Sequence, residues 1–199
     1  MRRWSLLAGV GLLPLGWGIA AAGQGMTGHM AGHMLAVAVA APLVAWGLGG
    51  TRYDAAIRWP GVVNPLAMSV VELVVVWGWH LPAARSLAER FAPTMAVEQM
   101  MFLIAGLLLW AAVLGAGRGR RAAGVGALLL TSMHMTLLGA LIGLAPRALY
   151  PGTAAHGPDP LADQQLAGVV MLTVGAGSYL LGGLAMLGTL LTDRTERRA

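Results

Sequence analysis

Four side chains in a short run near the N-terminus have the types and the spacing that suit a soft metal ion. Met26, His29, Met30 and His33 stand at positions i, i+3, i+4 and i+7, so they share one face if the run is helical. Imidazole and thioether together suit copper, and thioether particularly favours Cu(I). Met34 adds a soft ligand only if the helix bends locally. The run predicts a copper site; alternatively, the histidines lie among lipid headgroups and the methionines are packing residues.

A third histidine, His80, ends another apolar segment, directly after Trp77 and Trp79. The two tryptophans are typical of an aromatic belt at a membrane surface. Glu72, Val76 and His80 follow one another at a spacing of four, so the Glu72 carboxylate would lie about 12 Å below the histidine on one helix face. We therefore add His80 to His29 and His33 as a predicted copper ligand.

Three ionisable residues fall inside long apolar segments: Glu72, Glu98 and His134. Such groups are costly in a membrane and mark either a function or a buried partner. We expect no intramembrane arginine to pair with them. Either they hydrogen-bond one another as a structural knot, or they line a polar path into the bundle, with Glu98 and His134 as further metal ligands. Met133 and Met135 flank His134, but successive helix residues point about 100° apart, so at most one of them could join it.

Asp163 stands at the head of the last apolar segment, where two roles are open. A carboxylate at a helix N-terminus caps free N–H groups and favours the helix dipole. Alternatively, Asp163 supplies an oxygen ligand beside His156 or His80.

The composition excludes several classes of protein. Of the 199 residues, 57% are apolar and 11% charged, against roughly 25% charged in an ordinary soluble domain. There is no cysteine, which excludes disulfides, thiolate metal sites and cysteine nucleophiles together. The net charge of +5 comes from 13 arginines and 8 acidic residues. It belongs to the helix ends and loops of a protein that spans the lipid bilayer rather than to a nucleic-acid groove.

The apolar segments predict an all-α, polytopic transmembrane bundle that forms one integral membrane domain over residues 1–199. A spanning helix needs about 20 mainly apolar residues. The first segment also resembles a signal peptide, and its cleavage would leave five helices; we favour a retained helix because the run is long for a signal. The six predicted spans are about 4–22, 33–50, 62–80, 92–115, 123–145 and 165–191.

Arginine placement predicts the orientation through the positive-inside rule. With a cytoplasmic N-terminus, ten arginines lie on the cytoplasmic side and three on the other, so we expect both termini inside. The three are Arg85, Arg90 and Arg147. His29, His33 and His80 then lie at the outer ends of their helices. The spacing Gly139-xxx-Gly143 predicts close helix packing.

Several strings together resemble the CtaG family of membrane-integral cytochrome c oxidase assembly factors, described for caa3-type oxidases. The most specific is Asp163-Gln-Gln-Leu-Ala-Gly168 at the head of a membrane helix. Two departures are Gln99, where the family often has histidine, and Leu172, where tryptophan is expected. The other strings are His29-Met30-xx-His33-Met34, Trp79-His80-Leu81-Pro82, Glu98 with Phe102 and Trp110, and Leu149-Tyr150-Pro151.

The resemblance implies a multi-pass protein of the bacterial inner membrane that assists oxidase maturation and handles copper at the outer face. Its expected partners are the oxidase subunit that carries the copper centre and a periplasmic copper chaperone, with no nucleic acid. No enzymatic turnover is expected, because nothing points to an activated nucleophile or a positioned acid–base pair. Two alternatives use the same histidines: a copper uptake or tolerance permease, and a b-type haem protein with axial histidines.

Overall fold

The computed structural model describes residues 1–22, 25–150 and 159–196, and every regular element in these ranges is helical. Two π-helical turns, Leu35–Ala40 and Met171–Ala176, join consecutive helices, and a 3₁₀ turn at Arg118–Arg120 precedes α8. The helices are α1 (Arg2–Ala21), α2 (Gly25–Met34), α3 (Ala41–Leu48), α4 (Ala55–Arg58), α5 (Pro65–Trp79), α6 (Pro82–Arg90), α7 (Ala92–Leu114), α8 (Arg121–Gly143), α9 (Pro160–Val170) and α10 (Gly177–Glu196).

In the described ranges, five helical units are long and apolar enough to cross a membrane, which confirms the predicted polytopic bundle. The count becomes six if α5 and α6, which meet at a bend of 70°, form one broken span. The five units are α1, α2 with α3 (Gly25–Leu48), α7, α8, and α9 with most of α10 (Pro160–Thr192). The chain is therefore a multi-pass membrane protein.

Two helices begin earlier than the apolar pattern indicates. The second spanning unit starts at Gly25 rather than near residue 33, and the last starts at Pro160 rather than near residue 165. Asp159 caps the last unit by accepting a hydrogen bond from the Ala162 N–H at 3.1 Å. His29 and His33, expected at the outer end of their helix, instead lie in its second and third turns. Glycine, threonine and histidine in the early turns of α2, and Asp163 with two glutamines in those of α9, lower the local hydropathy and so hide both helix starts.

The bend after α5 has a local cause. Proline disfavours helical backbone at the preceding residue, and Leu81 before Pro82 is extended, with ψ of 133°. Pro82 then occupies the first turn of α6, where its missing N–H costs little. The predicted span 62–80 is therefore the 15-residue helix α5, followed by a short helix that turns back against α7.

Small residues set the distance between α8 and α9. A Cβ atom on Gly168 would lie 2.6 Å from the Cα of Gly143 and 2.7 Å from the carbonyl oxygen of Gly139. Backbone meets backbone at this crossing, as the glycine spacing predicts.

Side-chain contacts show which segments lie together at each end of the bundle. At one end, Asp163 contacts the start of α2, and the Tyr150 hydroxyl donates to the carbonyl of His80. We call this end, which carries residues 25–29, 80–98, 144–150 and 159–163, the site end. At the opposite end, Arg2 donates to the carbonyl of Gly49, and Arg120 donates to that of Pro60.

Gly168→Ala is expected to destabilise the bundle, because the added methyl group has no space between α8 and α9. Overpacking of this kind costs about 1–3 kcal/mol. Gly126→Ala is the matched control, since a Cβ there meets nothing within 4 Å. Thermal unfolding in detergent should give a lower Tm for Gly168→Ala than for Gly126→Ala; equal values would contradict the close crossing.

Candidate metal centre

Three ligand atoms from two helices converge in the interior of the site end. The Nε2 atoms of His29 and His33 are 2.5 Å apart, and the Glu98 Oε1 lies 3.3 Å from the first and 3.9 Å from the second. All three side chains are at most 2% exposed. Among the described residues, these form the group of histidines and carboxylates close enough to share one metal ion. We call His29, His33 and Glu98 the His–Glu cluster.

Helix geometry brings these atoms together. His29 and His33 are four residues apart on α2, so both rings project from one face. Glu98 comes from α7, which packs against the same helical unit. Gly106, two turns further along α7, allows this approach, because a Cβ there would already lie 3.1 Å from Val37. The predicted one-face arrangement of the two histidines is confirmed.

His80 lies at the edge of the cluster. Its ring centre is 6.2 Å from that of His33, and the Phe102 ring lies 4.2 Å from His33 and 5.8 Å from His80. The His80 Nδ1 is 2.7 Å from the carbonyl oxygen of Val76 and is placed to donate to it. A neutral ring with a proton on Nδ1 keeps a free lone pair on Nε2, which has no hydrogen-bond partner among the described residues. His80 therefore keeps one ring nitrogen available, and its role as a metal ligand stays a prediction.

Arg85 neutralises the cluster, which corrects the expectation that no arginine pairs with the buried acidic groups. Its Nη1 lies 3.2 Å from the Glu98 Oε2, and its Nε lies 3.2 Å from the Glu89 Oε1. Arg85 is 6% exposed. From the sequence, Arg85 is expected in a loop. The bend at Pro82 brings α6 against the bundle, and hydropathy gives no sign of this bend.

Glu72 and His134 lie in other surroundings. Glu72 accepts a hydrogen bond from the Tyr179 hydroxyl. His134 is buried in α8, and neither of its ring nitrogens has a hydrogen-bond partner in the described part of the chain. The expected knot, in which Glu72, Glu98 and His134 hydrogen-bond one another, is therefore wrong for the described residues; the polar path and the ligand role of His134 stay predictions.

The two methionines of the predicted copper run are buried in the apolar core. Met30 is completely buried, and Met34 is 4% exposed. The Met34 sulfur packs against Gly175, where an added Cβ would lie 2.7 Å from it. Their role as auxiliary ligands stays a prediction.

Asp163 caps a helix, although not its own. Its Oδ2 accepts from the N–H of Met26 at 2.6 Å, and its Oδ1 accepts from that of Thr27 at 3.1 Å. Gly25 makes this approach possible, because its φ of 73° suits glycine and a Cβ there would collide with the carboxylate. Asp163 therefore positions the helix that carries His29 and His33. Its role as a ligand stays a prediction, and His156, its suggested neighbour, lies outside the described residues.

The donor set of the cluster fits a transition-metal ion. Two imidazole nitrogens and a carboxylate oxygen are ligands of copper and zinc in proteins. The two Nε2 atoms and the Glu98 Oε1 lie within 4.8 Å of one another, so one cation could bind all three.

Comparison with protein families agrees with the resemblance noted in the sequence. The profile of the family described as cytochrome c oxidase caa3 assembly factor (Caa3_CtaG) matches residues 1–193. The chain belongs to this family. No curated protein and no solved structure matches the chain.

The strings that carry the family resemblance also build the site end. The Gln164 side chain accepts from the N–H of Leu149 at 2.6 Å and donates to the carbonyl of Ile142 at 3.1 Å. Next to Leu149, the Tyr150 hydroxyl donates to the carbonyl of His80 at 2.6 Å, and burial raises the pKa of Tyr150 to about 12, so the donor proton stays in place. These residues, together with Asp163, fix the segments that surround the cluster.

Asp163→Ala is expected to destabilise the protein by about 1–2 kcal/mol, because the start of α2 loses its cap. Asp159→Ala is the matched control, since Asp159 caps the start of its own helix, α9. Hydrogen exchange should show greater opening at residues 26–33 in Asp163→Ala than in Asp159→Ala. The same exchange rate in both variants would contradict the positioning role.

Proposed function

We propose that this assembly factor supports cytochrome c oxidase maturation by binding copper at the His–Glu cluster, with His80 as a further ligand. The observation that carries the proposal is the convergence of the His29, His33 and Glu98 ligand atoms in a buried position. The helix cap at Asp163 and the oriented ring of His80 support it, because they hold possible ligands in place before an ion arrives.

The charge of the cluster favours a monovalent ion. Arg85 already pairs with Glu98, so an ion that binds while this pair is intact adds its full charge to a buried position. The cost of burying a charge rises steeply with its magnitude and is of order several kcal/mol for a single charge. Cu(I) therefore suits the site better than a divalent ion, and two imidazoles are suitable ligands for it.

We propose that the site end faces the outer side of the bacterial inner membrane, with both termini in the cytoplasm. The ten-to-three distribution of arginines supports this orientation. On that side, the protein would exchange copper with the oxidase subunit that carries the copper centre, and a periplasmic copper chaperone would supply it. No turnover is proposed.

Anaerobic titration of the detergent-purified protein with Cu(I), in competition with a chromophoric Cu(I) chelator, tests the site. We expect His29→Ala/His33→Ala to bind at least about 100-fold more weakly and Glu98→Gln about tenfold more weakly, since loss of a ligand or of its support costs this much in metal sites. Ser69→Ala is the control, because it changes a buried polar side chain that contacts Thr131 and leaves the three converging atoms intact. Unchanged affinity in the double variant would contradict the site.

Oxidase maturation in cells tests the copper role. In a strain that lacks the protein, the oxidase subunit should accumulate with a copper centre that is largely unfilled. The wild-type chain should restore the copper content, and His29→Ala/His33→Ala, made at the same level in the membrane, should not. Full copper loading by the double variant would contradict copper handling at these residues.

A further inference from the structure

A cavity of about 440 Å³ opens at the site end between α6 and the segment that contains Leu149 and Tyr150. Its lining includes Arg85, Ser86, Glu89 and Arg90. These are polar or charged side chains in a chain with only 11% charged residues. The cavity is therefore suited to a hydrated ion or to a polar carrier of one.

Arg85 separates this cavity from the His–Glu cluster. The same guanidinium lines the cavity and lies 3.2 Å from the Glu98 Oε2. The other oxygen of that carboxylate is the one that approaches the two histidines. An ion that travels from the cavity to the cluster therefore passes the position of Arg85.

We propose that this cavity is the entry port for the copper ion and that Arg85 is its gate. Arg85 leaves Glu98 as the ion arrives and pairs with Glu89 alone. The inference rests on the proposed copper function and adds a route and a moving residue to it.

Electrostatics supply the reason for the movement. Arginine stays charged in proteins, so it cannot relieve repulsion by losing a proton. A copper ion on one oxygen of Glu98 and a guanidinium on the other would be two cations a few ångströms apart, at an effective dielectric constant far below that of water. Glu89 already contacts the Arg85 Nε at 3.2 Å, and its side chain is 22% exposed, so it offers a second partner on the cavity side. With copper at Glu98 and Arg85 at Glu89, each of the two carboxylates then has one cation.

A second cavity near the cluster is a less suitable route. It has a volume of about 240 Å³ and lies between α1 and α7. Its lining is apolar except for Gln99, and includes Trp17, Met95 and Met100. An ion entering there would lose its hydration shell with few polar groups to replace it.

The absence of native cysteine makes a direct test of the port possible. Ser86→Cys places a single thiol in the cavity. A bulky maleimide reacts with this thiol to form a stable thioether and so blocks the cavity. Thr51→Cys, an exposed position near the opposite end, carries the same label as the matched control. We expect labelled Ser86→Cys to take up Cu(I) from its chelator at least about tenfold more slowly, equivalent to ~1.4 kcal/mol in the barrier, and labelled Thr51→Cys to load at the wild-type rate.

Two charge variants test the gate with opposite signs. Glu89→Gln removes the second partner of Arg85 and should slow Cu(I) loading several-fold. Arg90→Gln removes a positive charge from the port and should accelerate loading. A purely structural ion pair would change the Tm and leave both loading rates as in the wild type, so that pattern would overturn the gate.

The outcomes separate the port from the copper site. A wild-type protein that binds no Cu(I) would overturn the proposed function, and the port with it. A wild-type protein that binds Cu(I), with labelled Ser86→Cys loading at an unchanged rate, would overturn only the port. Slow loading in both labelled variants would also overturn the port, because the label would then act without regard to the cavity.

Discussion

The site end depends on one constraint: the Glu98 carboxylate lies inside the bundle, where a charge needs a partner. Arg85 supplies that partner at 3.2 Å, and it can do so only because the chain bends by 70° and α6 turns back against α7. The opposite oxygen of Glu98 is then held close to the two histidines of α2. The charge of Glu98 is therefore balanced by one permanent cation, Arg85, on one side. On the other side, two neutral imidazoles leave room for a further cation.

Helix ends fix the rest of the arrangement. Asp163 holds the first N–H groups of α2, so the position of the His29 ring depends on a residue 134 positions away in the chain. Gln164 ties the end of α8 to the segment before α9, and Tyr150 ties that segment to the backbone of His80. The most family-specific sequence, which begins at Asp163 and Gln164, therefore supports the segments around the His–Glu cluster. Such support gives a metal site its geometry before the ion binds.

The sequence predicts the bundle and the one-face arrangement of His29 and His33 well, because hydropathy and the helical period are local properties. It misses Arg85, because the pairing joins two helices through a bend that no periodicity reports. It offers a helix cap as one of two roles for Asp163 but expects it on the last helix, whereas the capped N–H groups belong to Met26 and Thr27. It singles out Glu98 because an ionisable residue stands in an apolar segment, and only the packing of α7 on the helical unit that contains α2 shows that Glu98 meets the histidines.

In the proposed site, His29, His33 and Glu98 hold one copper ion together. X-ray absorption at the copper edge of the Cu(I)-loaded, purified protein tests this coordination, because imidazole rings give a recognisable scattering pattern. We expect a shell of nitrogen and oxygen ligands with two imidazoles, and we expect the imidazole pattern to be lost in His29→Ala/His33→Ala. A shell dominated by sulfur, or a spectrum unchanged in that variant, would contradict it.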